Sequence, residues 1–155
     1  MAVLATRRAR LARRSRPVVY HRLLVPLVGD CERAVELACR LAGESASSID
    51  AVAPLEVPLE LPFEVPLEEQ GQLARSLVAE ARAVADRYGA ELRGRIVRTR
   101  HAGVAVVEEA AQRESDAIVL AAVLAGRSGE RSSFGSLADH VLEHAPCRVL
   151  LLETR

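Results

Sequence analysis

Apolar positions along the chain alternate between short continuous runs and longer helical spacings. Residues 23–28, LLVPLV, are a continuous apolar run closed by Gly29-Asp30, which predicts a strand buried on both faces. Ala34, Leu37, Ala38 and Leu41 follow at i, i+3, i+4 and i+7. This spacing predicts an amphipathic helix, capped by Asp30 and ended by Gly43. Residues 48–53, SIDAVA, predict a second strand. Helical spacing returns at Leu73, Leu77, Ala81, Val84, Ala85 and Tyr88, ending at Gly89. Residues 91–98 predict a strand, and 102–113 a helix with Val104, Val107 and Ala111 on one face. Residues 116–122, DAIVLAA, predict a fourth strand from their β-branched content. A helix over about 136–145 follows, with Ser136 and Asp139 as a capping box and Pro146 as its stop. CRVLLL, residues 147–152, predicts the last strand. Five strands joined by helices make an α/β fold, a parallel sheet covered on both faces. Ligands of such sheets sit beyond the carboxyl ends of the strands, where the strand order reverses.

One stretch breaks the alternation. PLEVPLELPFEVPLEE places Pro54, Pro58, Pro62 and Pro66 four residues apart. Proline at that interval forbids a continuous helix and spoils a sheet ladder. Residues 54–68 therefore read as an extended, partly polyproline-like loop. Leu55, Leu59, Phe63 and Leu67 are its candidate anchors, should it serve as a flap or docking strip. A tolerated surface loop is the plainer reading of the same residues.

Composition sharpens this picture. A chain of 155 residues, half of them hydrophobic, can bury a real core as one domain. Two Phe, two Tyr and no Trp leave no platform on which bases could stack, so no specific nucleic acid is expected. The net charge of zero conceals an asymmetry. Seven Arg lie in residues 1–22, whereas 14 Arg face 21 acids in the remainder. Residues 1–20 read as a basic, disordered arm on an acidic domain spanning 21–155. No apolar run is long enough to span a bilayer, and the amino terminus lacks a signal peptide's apolar region. The expected location is the cytoplasm. Cys31, Cys39 and Cys147 lack metal-ligand spacing and are odd in number, so they read as buried thiols.

The candidate chemistry lies near the carboxyl terminus. GRSGERSSFGSLADHVLEHAPCRVLLL, residues 126–152, offers Gly126, Gly129 and Gly135-Ser136 before a helix. Amides and dipole at a helix N-terminus favour an anion. This block, with RLLVPLVGD, AVELACRLA, AGVAVVEEA and SDAIVLAA, resembles the universal stress protein family over about residues 21–155. Gly-Ser opening a helix that ends His-Ala-Pro-Cys before an apolar strand carries most of the likeness.

The resemblance implies a three-layer sandwich like that of the adenine nucleotide alpha hydrolases, with strand order 3-2-1-4-5. It also implies homodimers paired through the last strand, residues 147–153. Some members bind ATP between the first and fourth strands, and others bind none. The implied nucleotide positions here are Pro26, Leu27, Val28 and Asp30 after the first strand, and Ala53 on the second. Leu120 and Ala121 close the fourth strand, Gly126, Arg127 and Gly129 lie in the loop, and Gly135, Ser136 and Leu137 open the last helix.

Two departures weaken the match. Only five residues separate Gly129 from Gly135, fewer than in ATP-binding members. Counted back from Gly135, the glycine that should close the fourth strand is Ala121, whose Cβ keeps backbone from a ligand. Relatives also read Pro-x-Asp after the first strand. Here Val28 stands in the Asp position, and Asp30 could compensate only through a different bend.

Other constellations are weaker. His140-Val-Leu-Glu143-His144 matches an inverted zinc-peptidase pattern. A third protein ligand is wanted, and only 11 residues remain downstream. His21 and His101 are isolated. The sequence thus reads as a non-enzymatic regulatory or interaction domain with a degenerate nucleotide site. One alternative is a stress-response sensor binding ATP or AMP with Mg. Another is an accessory domain docking on a separate membrane transporter through residues 1–20 or 54–68. ATP hydrolysis is least favoured, because a fold and half a motif supply no chemistry.

Overall fold

The computed structural model describes residues 19–43, 47–123 and 135–154. The elements are β1 (Arg22–Pro26), α1 (Glu32–Ala42), β2 (Ser48–Glu56), α2 (Glu68–Arg87), β3 (Leu92–Thr99), α3 (Ala102–Gln112), β4 (Ala117–Ala122), α4 (Ser136–His144) and β5 (Arg148–Glu153). The five strands form one parallel sheet in the order β3-β2-β1-β4-β5. Helices cover both faces. Leu23, Val25, Ile49, Ala51, Ala117 and Val119 pack against α1 and α2. Leu24, Val52, Ile118 and Leu120 point the other way, toward Val106 and Ala110 of α3 and Ala138 and Val141 of α4. This alternation within runs of wholly apolar residues is what two covered faces require.

The helices present different stripes from those expected. In α1 the buried residues are Ala34, Val35, Ala38, Cys39 and Ala42, while Leu37 and Leu41 sit at the margin. In α2 they are Gly71, Ala74, Val78, Ala81, Val84 and Ala85; Leu73 is 61% exposed and Tyr88 is also exposed. In α3 Gly103, Ala105, Val106, Glu109 and Ala110 face inward, and Ala111 faces solvent. Small residues take the inward positions because the helices lie close to the sheet. A Cβ on Gly94 of β3 would come within 2.5 Å of Val78 Cγ1. Asp30 does not cap α1, whose N-cap is Cys31. Gly135 rather than Ser136 is the N-cap of α4, so Ser136 and Asp139 are not a capping box.

The amino ends of the two central strands are tied by one carboxylate. Asp116 Oδ2 accepts the backbone N–H groups of His21 (2.6 Å) and Arg22 (2.9 Å). The Asp116 N–H in turn donates to the Arg22 carbonyl at 2.8 Å. These two backbone donors, His21 first, hold the Asp116 carboxyl below its ordinary pKa. On the α3 face, buried Glu109 pairs with Arg95 (3.4 Å) and Arg113 (3.6 Å), and Arg113 reaches buried Asp50 at 3.4 Å. Buried carboxylates persist when paired in this way.

The proline segment departs most from expectation. β2 runs through Pro54, Leu55 and Glu56, paired with Val97, Arg98 and Thr99 of β3. The Val52 carbonyl accepts the Leu27 N–H. By alternation the Pro54 nitrogen faces the same side, beyond the end of β1, where no ladder bond is lost. Val57 adds one more rung through its N–H to the Thr99 carbonyl, but residues 58–65 are not extended. They form two successive β-turns, closed by Leu61 N–H to Pro58 O and Val65 N–H to Pro62 O, each 3.1 Å. Arg98 Nη1 donates to the carbonyls of Phe63 (2.8 Å) and Val65 (2.9 Å). Arg100 Nη1 donates to those of Pro58 and Leu61, and its guanidinium lies over the Phe63 ring. Of the expected anchors, Leu55 is buried in the sheet and Leu67 half-buried, whereas Leu59 and Phe63 are exposed.

Gly94→Ala should destabilise the protein by about 1–3 kcal/mol through overpacking against Val78, read from urea unfolding midpoints. The lowered Asp116 pKa contributes stability at pH values above its unfolded-state pKa. That contribution is lost as pH falls through the depressed folded value. Asp116→Asn should therefore flatten the loss of stability below about pH 4, measured as unfolding midpoint against pH.

Candidate functional site

β1 and β4 pair only at Leu23–Ala117 and Leu24–Ile118. Beyond that point β4 continues to Ala122 against β5, and β1 continues to Pro26 against β2. The separation opens a cleft of about 320 Å³ at the carboxyl ends. Its walls are Val28, Gly29 and Asp30 from the turn after β1, Leu120 to Val123 from β4, Gly135 to Ala138 from α4, and Thr154. β1 leads outward to β2 on one side and β4 to β5 on the other, so the cleft is the topological switch point.

Local chain geometry puts the polar groups there. Gly29 has φ of +56°, a left-handed turn that brings the following Asp30 to the cleft wall. Gly135, with φ of +94°, starts α4, and an added Cβ there would meet no atom within 4 Å. The first turn of α4 thus borders the cleft with its N–H end, the favourable end for an anion. The Thr154 N–H donates to the Ala122 carbonyl at 2.9 Å, the last rung of the β4/β5 ladder, which carries Thr154 to the cleft.

Among the expected site residues, Val28, Asp30, Leu120, Ala121, Gly135, Ser136 and Leu137 come together at the cleft. Pro26, Leu27 and Ala53 do not line it; they are buried, with Leu27 and Ala53 in the core cluster under α1 and α2. Gly126, Arg127 and Gly129 lie outside the described residues. Gly29, Ala122, Val123, Ala138 and Thr154 were not anticipated from the sequence. The glycine at position 29 was the one available signal, since a turn residue after a buried strand marks the binding end of such a sheet.

A second, smaller hollow of about 250 Å³ adjoins the cleft and shares Ser136 and Leu137 with it. Glu56, His101 and His140 supply its polar groups. The Glu56 carboxylate accepts the Ala102 N–H at 2.9 Å and so satisfies the start of α3. His140 and His144 stack on each other, with centroids 4.2 Å apart, and His144 Nδ1 lies 3.0 Å from the His140 carbonyl. No group of three potential metal ligands occurs among the described residues. No described helix is long and apolar enough to cross a membrane.

A parallel sheet in the order β3-β2-β1-β4-β5, covered on both faces and carrying a switch-point cleft bounded by a glycine-started helix, defines a doubly wound α/β domain. Within that class, residues 20–153 match the universal stress protein family, and the chain belongs to it. No curated protein matches the chain in sequence. Among solved structures, the fold is similar to the universal stress protein from Archaeoglobus fulgidus, with 20% identity, a TM-score of 0.72, and coverage of 87% of this chain and 100% of that one. The structure of the A. fulgidus protein in complex with dAMP gives 20% identity, a TM-score of 0.69 and coverage of 88% and 100%. A universal stress protein in complex with cAMP gives 23% identity, a TM-score of 0.71 and coverage of 89% and 100%. These likenesses establish the fold.

Gly135→Ala should lower stability by about 1–2 kcal/mol, because an L side chain disfavours that backbone conformation. Chemical denaturation of the two proteins measures the difference.

Proposed function

We propose that this chain is a non-enzymatic regulatory domain whose cleft takes a nucleoside monophosphate rather than a triphosphate. The observation that carries the reading is the cleft at the β1/β4 divergence, with the α4 N-terminus as one wall and Asp30 as another. One phosphate can be met by the amides of the first α4 turn. The Asp30 carboxylate supplies an acceptor for ribose hydroxyls, a role that Val28 cannot fill. Ala121 stands where triphosphate-binding relatives are expected to carry glycine, which argues for a shorter phosphate chain. The complexes of similar folds with dAMP and cAMP support the same size class.

In this reading the domain works as a homodimer in the cytoplasm. Among the described residues β5 pairs only with β4, and Leu150, Leu151 and Leu152 on it are half-buried. An unpaired outer strand offers a template for a second copy. Sedimentation equilibrium should give twice the chain mass at micromolar concentration.

A second reading rests on a different observation. Leu59, Leu61 and Phe63 stand 71%, 40% and 38% exposed on a segment whose backbone is fixed by two arginines. Rigid exposed apolar residues suit a protein partner, a membrane transporter among the candidates.

Thermal unfolding with AMP, cAMP, ATP or sulfate separates the readings. A monophosphate at about 100 times its dissociation constant should add about 2.7 kcal/mol, a rise of a few degrees. ATP should give a smaller rise and sulfate none. Gly135→Trp should abolish the response, and Val28→Asp should tighten monophosphate binding by about tenfold through one regained hydrogen bond. An unchanged midpoint with every nucleotide would sink the monophosphate reading and leave the partner-docking one.

A further inference from the structure

A larger cavity lies away from the switch point, between α1 and α2, with a volume of about 480 Å³. Its wall is mostly apolar, formed by Val35, Leu77, Ala81 and Val84 with the Cys31 thiol. The charged residues at it are Glu32, Glu80 and Arg87. Arg87 is already paired with Glu32 at 3.2 Å. Glu80 has no ion-pair partner among the described residues. The cavity falls within the size range of small-molecule sites and has their composition, an apolar body with few polar groups.

The charge around the cavity selects the ligand. Cys31 is 7% exposed, so its sulfur samples the interior. Burial first, then the carboxylates of Glu80, Asp30 and Glu32, hold its thiol above the ordinary range, against a lowering backbone hydrogen bond. Two carboxylates, Glu32 and Glu80, and one guanidinium, Arg87, therefore line an apolar chamber, and because Arg87 already engages Glu32, Glu80 leaves it a net negative charge. An organic acid would meet repulsion there. A neutral apolar molecule would gain burial only. An amine on an apolar body would gain burial and a carboxylate partner.

We infer that the α1/α2 cavity is a binding site for a small amphiphilic amine, its apolar body against Val35, Leu77 and Val84 and its ammonium at Glu80. This site is separate from the switch-point cleft. Asp30 lines the cleft, whereas Cys31, the next residue, lines the cavity.

Cys31 supplies the reporter. In full-length protein carrying Cys39→Ser and Cys147→Ser, the rate of Cys31 alkylation by N-ethylmaleimide, a neutral reagent, is followed with hexylamine, hexanol or hexanoate present. Hexylamine should protect saturably, at a concentration about tenfold below that needed for hexanol, and hexanoate should not protect. Glu80→Gln should remove the advantage of the amine over the alcohol. Ala83→Trp, at an exposed lining position, should slow alkylation with no ligand present. Methyl resonances of Val35, Leu77 and Val84 in the unmutated protein give a second readout and should shift with hexylamine. Equal protection by hexanoate and hexylamine, or unmoved methyl resonances at saturating amine, would overturn the assignment.

Discussion

Asp116 closes one end of the central strand pair, and the cleft exists because the other end is left open. Its carboxylate gathers two backbone N–H groups from the chain entering β1 and holds that strand beside β4 at their amino ends. The two strands share only two paired positions before parting. A longer ladder would zip the switch point shut. The charge sits at an exposed site, so its contribution to stability is modest. Its contribution to register is larger, because a one-residue slip of β1 would exchange Leu23 and Leu24 between two differently lined cores.

The two cores differ in kind. The α1/α2 side is dominated by alanine, valine and a close glycine, and the helices approach the sheet until Gly94 touches Val78. The α3/α4 side carries Ile118 and Leu120 and an ionic chain, Asp50–Arg113–Glu109–Arg95, whose carboxylates are buried. Tight packing at β3 coexists with an open chamber near Cys31. Small side chains there cannot fill the space between two cylinders as well as they fill the space over a flat sheet.

Much of the fold was legible from residues alone. Each apolar run became a strand, and Gly43, Gly89 and Pro146 each stand just after a helix end. The helix faces were misjudged for one reason. Ala81, Val84 and Ala85 do face inward, but the large Leu73 and Tyr88 were taken as inward too, where close approach to the sheet demanded Ala74 and Val78. The proline segment was misjudged for another. Its turns are held by Arg98 and Arg100, between 33 and 42 residues away in sequence, and no local pattern announces that. At the cleft, Asp30 was recognised as a substitute for Val28 but its placement hung on the backbone of Gly29. Thr154 had no signal at all, because it reaches the cleft only through the pairing of β5 with β4.

The paired turns after β2 have a modular character. Pro58 to Leu61 and Pro62 to Val65 repeat one pattern of proline, apolar residue, glutamate and apolar residue, and each closes on its own hydrogen bond. Each is also served by a different arginine, two residues apart along the continuation of β3, on the same side of an extended chain. The connection is therefore a tandem of interchangeable tiles rather than a single irregular loop. A lineage could gain or lose one four-residue tile, with its matching arginine, and still deliver the chain to the start of α2 in the same direction. Length variation in this segment would then come in steps of four, a quantised form of drift that irregular loops do not share.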